Sequence, residues 1–255
     1  MPISALDHNL PRQVLQPICC QFLIRLSYKQ NPSLFEQQVD GDLGCASYLS
    51  DLLFDVSLSL RRFAVKTVVL ASLKGGSGKS TIVANLAVEA SGKVAVMDMD
   101  SPQGSLSHWW NARTAETPLF IDTMTPAHLD YLFVDTPPQR PDTNTVQAAD
   151  LIIIPVKPSP NDLRAVGETL SVIERLHKDF CFVITMAKAR TRIAIDTLQV
   201  LAQYGKVAPV MLGDRIDYAE SMIDGLSVGE MSRKSKSADE ITQLWDYVNS
   251  LLHKD

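Results

Sequence analysis

The chain has 255 residues, enough for one or two domains with a substantial core. Apolar residues make up 45% and charged residues 21%, the balance of an ordinary globular protein; the formal charge of −5 speaks against nucleic-acid binding by bulk charge but leaves room for a local basic patch. No apolar run approaches the ~18–20 residues of a membrane helix and no secretory leader is legible. The cysteines Cys19, Cys20, Cys45 and Cys181 form neither a CxxC pair nor a zinc spacing, so a reducing, cytoplasmic setting is expected with the cysteines as small buried apolar residues.

Residues 1–64 carry no legible motif and no strand–helix rhythm. Gln13–Tyr28 and Tyr48–Arg62 have helical character, but Pro17 interrupts the first, and no basic recognition helix follows a tight turn. This stretch is expected to be an N-terminal extension, either poorly ordered or the product of a misassigned start, because Val65 is a residue that a GTG start codon can encode.

From Val65 onward, short apolar runs alternate with amphipathic stretches. Strands are expected at Thr67–Ser72, Val94–Met97, Tyr131–Val134, Leu151–Val156, Phe180–Met186 and Val207–Leu212, each a continuous run of the kind buried in parallel sheets. Between and after them lie helical periods, one marked by Leu163, Val166, Leu170, Ile173 and Leu176, another by Ile241, Leu244, Trp245, Val248, Leu251 and Leu252. Ser237 with Glu240 reads as a capping box opening the last helix. The alternation predicts an α/β fold: a doubly wound, mostly parallel sheet with helices on both faces and ligands beyond the carboxyl ends of the strands.

The first strand runs into Lys74-Gly75-Gly76-Ser77-Gly78-Lys79-Ser80-Thr81 and then an apolar helical stretch. Glycines let backbone N–H groups turn toward an anion, and the helix N-terminus adds free donors. In such a loop Lys79 reaches terminal phosphate oxygens and the Ser80 hydroxyl sits on Mg²⁺. Leu73 stands where the standard P-loop has glycine, and Lys74 follows it. The second strand ends in Asp98-Met99-Asp100, followed by Ser101-Pro102-Gln103-Gly104; the third delivers Asp135 into Thr136-Pro137-Pro138, a Walker B arrangement that would hold a water of the Mg²⁺ shell.

Taken in order, these segments resemble the deviant Walker A ATPases of the ParA/MinD family. Leu151-Ile152-Ile153-Ile154-Pro155-Val156-Lys157-Pro158-Ser159-Pro160 and Val183-Ile184-Thr185-Met186 extend the likeness, which spans residues 65–255 and is nearest to short plasmid-type ParA proteins. One departure is the insertion of Ser101 ahead of the proline. The resemblance implies a weak, partner-stimulated ATPase using ATP and Mg²⁺, with Lys74 through Thr81 as the nucleotide loop. It implies catalytic roles for Lys74, Lys79 and Asp100, with Asp100 positioning the attacking water. Ser80, Asp98 and Asp135 would serve the metal. Lys74 would reach the partner's phosphates in an ATP-dependent homodimer. That dimer would bind DNA non-specifically, associate with the nucleoid and drive plasmid or chromosome partition with a ParB-like protein. The DNA contacts expected are Arg215, Arg233, Lys234 and Lys236, although Asp217 stands where some relatives have arginine. Alternatives within the family are a MinD-like membrane-positioning ATPase and a cellulose-synthesis accessory. The first fits poorly with a tail helix whose polar side carries Asp239, Glu240, Gln243, Asp246 and Asn249, so no membrane partner is expected.

Overall fold

A computed structural model describes residues 65–100, 104–122 and 128–254. The expectations for residues 1–64, and for the turn at Ser101, Pro102 and Gln103, lie outside the described residues.

Six strands form one parallel sheet: β1 (Lys66–Leu70), β2 (Val94–Asp98), β3 (Leu119–Ile121), β4 (Tyr131–Asp135), β5 (Leu151–Val156) and β6 (Phe180–Ile184). Their spatial order is β3-β2-β4-β1-β5-β6. The helices are α1 (Lys79–Glu89), α2 (Ser105–Ala112), α3 (Thr143–Ala148), α4 (Pro160–Arg175), α5 (Arg192–Leu201), α6 (Ile216–Asp224), α7 (Val228–Met231) and α8 (Lys236–Leu252).

Because side chains alternate along a strand, each central strand feeds two cores. Val68, Leu70, Phe133, Ile153 and Val183 point to one face, where α1, α2, α7 and α8 contribute Leu86, Trp109, Val228 and Leu244. Val69, Val134, Ile152, Ile154 and Phe182 point to the other, packing on Val146 of α3, Ile173 of α4 and Leu201 of α5. The expected doubly wound α/β architecture is therefore the one found. Cys181, within β6, is buried as expected of a small apolar residue, and burial pushes its thiol up to about 12.

Three expectations change. Val207–Leu212 runs beside β6 without becoming a strand: the Ala208 N–H donates to the Phe182 carbonyl, but the next donor to β6 is Leu212, to Ile184, so the residues between leave the ladder and an isolated bridge forms between Phe182 and Val207. β3 is a three-residue edge strand too short to register as an apolar run. The last helix is capped by Ser235, whose hydroxyl accepts from the Ala238 N–H; Ser237 lies inside α8 and donates to Asp217, while Glu240 is engaged elsewhere. The reciprocal capping box belongs instead to Ser227 and Glu230 at the start of α7.

Candidate nucleotide site

The register of the sheet gathers the site. Leu70 pairs with Asp135 across β1 and β4, and Asp98 pairs with Asp135 across β2 and β4. The glycine loop leaving β1 thus stands beside the ends of the two strands that carry the acidic residues. Thr136 ties β4 to β1 by donating from its hydroxyl to the Leu70 carbonyl at 2.6 Å.

The loop from Leu73 to Gly78 has left-handed backbone at Gly76 (φ 65°) and Gly78 (φ 94°), conformations that favour glycine. Gly78 caps α1 without a side-chain hydrogen bond, so the first amides of that helix are free of a side-chain acceptor and add to the positive end of its dipole. Thr185, at the end of β6, braces the loop from behind by donating to the Ser77 carbonyl at 2.9 Å. Lys74 is exposed, and its ammonium pairs with no carboxylate among the described residues.

Lys79 is buried, with 6% exposure. Burial lowers its pKa, opposed by the negative charges of Asp135 and Asp100. Behind it the Ser80 hydroxyl donates to Asp135 Oδ2 at 2.5 Å. Asp135 has no exposed surface, and its Oδ1 is buried without a partner among the described residues. Burial pushes its carboxyl up to about 7, with the Ser80 hydrogen bond and Lys79 opposing and Asp98 and Asp100 reinforcing the rise. A bare, buried carboxylate oxygen next to a serine hydroxyl on a phosphate loop fits a hard divalent cation, which would relieve both its charge and its missing partner.

Asp98 is differently placed. Its Oδ2 accepts from the Ser107 N–H and hydroxyl, and its Oδ1 accepts from the Asp100 N–H at 2.9 Å. Its carboxylate thereby holds the Asp100 N–H and ties the end of β2 to Ser107 in the first turn of α2.

Off the same end of the sheet, a cavity of about 250 Å³ opens between the residues after β6 and those before α6. Ala187, Arg190, Ala194, Met211, Arg215 and Glu240 line it. The Arg215 Nε and Nη2 groups both donate to Glu240 Oε1, at 3.0 and 2.6 Å, while Glu240 Oε2 accepts from the Tyr218 hydroxyl and the Gly213 N–H. Arg233, Lys234 and Lys236 cluster at the α7–α8 junction, all exposed. Arg233 pairs with Glu89 at the end of α1 at 3.2 Å. Among the described residues, Arg215 is linked to this region through Glu240 on α8.

The chain matches the family described as the CobQ/CobB/MinD/ParA nucleotide binding domain over residues 68–228. It belongs to that family. A "Maintenance of carboxysome distribution protein A" from Halothiobacillus neapolitanus is 31% identical over 207 residues, covering 71% of this chain and 95% of the relative. Among solved structures, a Cyanothece McdA–ATP complex aligns with a TM-score of 0.60 at 18% identity, covering 75% of this chain and 97% of the other. A Borrelia burgdorferi plasmid partition protein bound to AMPPNP aligns with a TM-score of 0.54 at 16% identity, covering 74% and 98% respectively. The fold and the deviant Walker A resemblance are thus those of a ParA/MinD-type ATPase.

Sequence reasoning passes over Thr136, Thr185 and Asn85. The Asn85 amide donates to the Thr81 carbonyl and accepts from the Val228 N–H, fastening the loop helix to α7. A polar residue facing inward from an otherwise apolar helix is the one signal that marks Asn85 in advance.

Proposed function

We propose that this chain is a magnesium-dependent ATPase of the ParA type that dimerises around ATP, binds DNA without sequence preference in that state, and is released by hydrolysis. A ParB-like adaptor on the cargo accelerates turnover, and the protein alternates between the nucleoid and the surrounding cytoplasm. The observation that carries this reading is the Ser80–Asp135 pair, whose second carboxylate oxygen is unpartnered among the described residues, lying directly behind the loop that Lys79 enters.

The loop amides and Lys79 bind and orient the phosphates. Ser80 and Asp135 would hold the metal, Asp135 through a water, and Asp98, bonded to Asp100 and Ser107, would support that shell. Magnesium, when bound, neutralises charge along the phosphate chain. Asp100 orients the water that attacks the terminal phosphate. Lys74, exposed and without a carboxylate partner among the described residues, reaches the nucleotide of a second subunit and supplies a cation to the charge that develops there. The cavity lined by Arg190, Met211 and Arg215 accommodates the base. Arg233, Lys234 and Lys236 face DNA phosphates, with Arg215 supporting α8 through Glu240.

The curated relative favours a second cargo: the same ATP switch would then distribute a carboxysome through an adaptor suited to that body. The membrane-positioning alternative requires an apolar helix face free for lipid, whereas Ile241, Leu244, Val248 and Leu252 of α8 are buried in the core.

Sedimentation and DNA binding, each with ATP·Mg²⁺, ADP·Mg²⁺ and ATP in EDTA, test the reading together. Wild type is expected to dimerise and bind DNA only with ATP·Mg²⁺. Lys74→Ala is expected to retain nucleotide within a few-fold yet remain monomeric. A mutant that dimerises like wild type removes Lys74 from its role in trans, and a wild type indifferent to ATP removes the switch.

A further inference from the structure

β5 is buried along its whole length, and Lys157 is the first residue beyond it. The backbone there is constrained. Pro155 lies within the strand, Pro158 follows the lysine, and the Ser159 N–H donates to the Lys157 carbonyl at 2.7 Å. Ser159 then caps α4, its hydroxyl accepting from the Asp162 N–H. A lysine is therefore presented from a fixed point next to β1, because β5 pairs with β1 at Leu70 and Ile153.

The Lys157 ammonium lies 3.6 Å from the position that a Cβ on Gly76 would occupy. Gly76 is exposed, in left-handed backbone, in the middle of the phosphate loop. Lys157 itself is half-buried, and among the described residues its ammonium has neither a carboxylate nor a hydrogen-bond acceptor. Lys79, by contrast, has Asp135 and Asp100 nearby. A cation held against a loop built from amide donors, with no anion of its own, gathers positive charge where the fold gains nothing from it. Such an arrangement fits a polyanionic ligand.

We propose that Lys157 is a further phosphate-binding residue, contacting the polyphosphate chain of the nucleotide that lies on its own subunit's loop. The assignment rests on the nucleotide reading above and adds a specificity to it. An ammonium over the middle of the loop strengthens binding in proportion to phosphate charge, so it favours ATP over AMP more than it favours nucleotides in general.

Equilibrium binding of ATP and AMP to wild type, Lys157→Gln and Lys157→Arg, in low salt with and without Mg²⁺, tests it. Lys157→Gln is expected to weaken ATP binding about tenfold and AMP binding within about twofold. Lys157→Arg is expected to restore most of the loss, with an unchanged melting temperature in both variants. Acetylation of Lys157, followed by mass spectrometry, is expected to be slowed by ATP in the wild type. Equal ATP affinity in Lys157→Gln and wild type, or equal losses for ATP and AMP, overturns the assignment while leaving the nucleotide site in place. A wild type that binds no ATP overturns both.

Discussion

Asp135 ends β4 with no exposed surface, and burial, joined by Asp98 and Asp100, pushes its carboxyl up to about 7 against the pull of Ser80 and Lys79. In the metal-free protein this raised value is a cost to folding. The unfolded carboxyl titrates near ~3.9, so between that pH and about 7 the native state holds a proton that the unfolded chain has released. Stability of the metal-free protein is therefore expected to decline as pH rises through this window and to level off above it. Asp135→Asn removes the charge but keeps the shape. In EDTA at pH 8 it is expected to melt a few degrees above wild type and to lose the pH slope. With Mg²⁺ it is expected to bind ATP about 10–100-fold more weakly than wild type. Thermal melts across pH 4–9 and nucleotide titrations with and without metal check both halves; a variant that melts lower in EDTA and keeps its magnesium response contradicts the assignment. Lys79 and Ser80 were legible because strand, glycine loop and helix fix their spacing locally, and Asp135 because it is the lone acid closing an apolar strand, although it is β1–β4 pairing that brings it to Ser80 from 55 residues away. Thr136 and Thr185 were not, because the sheet brings them to Leu70 and Ser77 from 66 and 108 residues away. A threonine leaving an apolar strand has no periodicity that would announce such a contact.

Among the elements, the buried central strands were legible because both their faces are covered, which demands continuous Val, Ile and Leu. The sheet's margins were not. Leu119–Ile121 is too short to stand out, and Val207–Leu212 has the composition of a strand but leaves the β6 ladder between its donors Ala208 and Leu212. Helix starts were ambiguous where serines cluster: Ser235 and Ser237 both lie near the first turn of α8, and their tertiary partners decide between them. The junction between α2 and α6 depends on one glycine. Gly225 ends α6 at φ 68°, and a Cβ there would come within 2.4 Å of the Arg113 backbone nitrogen. Arg113 is in turn bonded to the Gly225 carbonyl and to Glu230, and its guanidinium stacks 5.1 Å from the Trp109 ring. Backbone cannot yield as a flexible side-chain tip can, so Gly225→Ala is expected to cost about 2–4 kcal/mol, combining left-handed strain with displacement of α2. Urea unfolding followed by tryptophan fluorescence should show a lower midpoint at an unchanged slope. A midpoint within error of wild type would mean that the two helices separate freely.

At the scale of the whole molecule, the loop helix and the basic α7–α8 junction are joined directly. Glu89 at the end of α1 accepts from Arg233 and from Thr242 of α8, and Asn85 of α1 holds the Val228 N–H at the start of α7. Nucleotide occupancy at one end of α1 therefore has a short mechanical route to the cations at the other. The basic residues nonetheless differ in what they can offer DNA. Lys236 is exposed and unpaired among the described residues, Arg233 is exposed but shared with Glu89, and Arg215 is bound to Glu240 with its side chain 32% exposed. Each phosphate contact releases about 0.9 counterion from duplex DNA. Lys236→Ala is thus expected to lower affinity for all sequences alike and to flatten the dependence of log K on log salt by about 0.9. Arg215→Ala is expected to act differently. It leaves Glu240 Oε1 without the guanidinium that now donates to it twice, so it lowers the melting temperature and changes the salt slope little. Fluorescence anisotropy on random-sequence duplex at several salt concentrations, with ATP·Mg²⁺ present, separates the two. An unchanged slope in Lys236→Ala would move the DNA-facing surface away from the α7–α8 junction, and a slope lost in Arg215→Ala without loss of stability would move it toward α6.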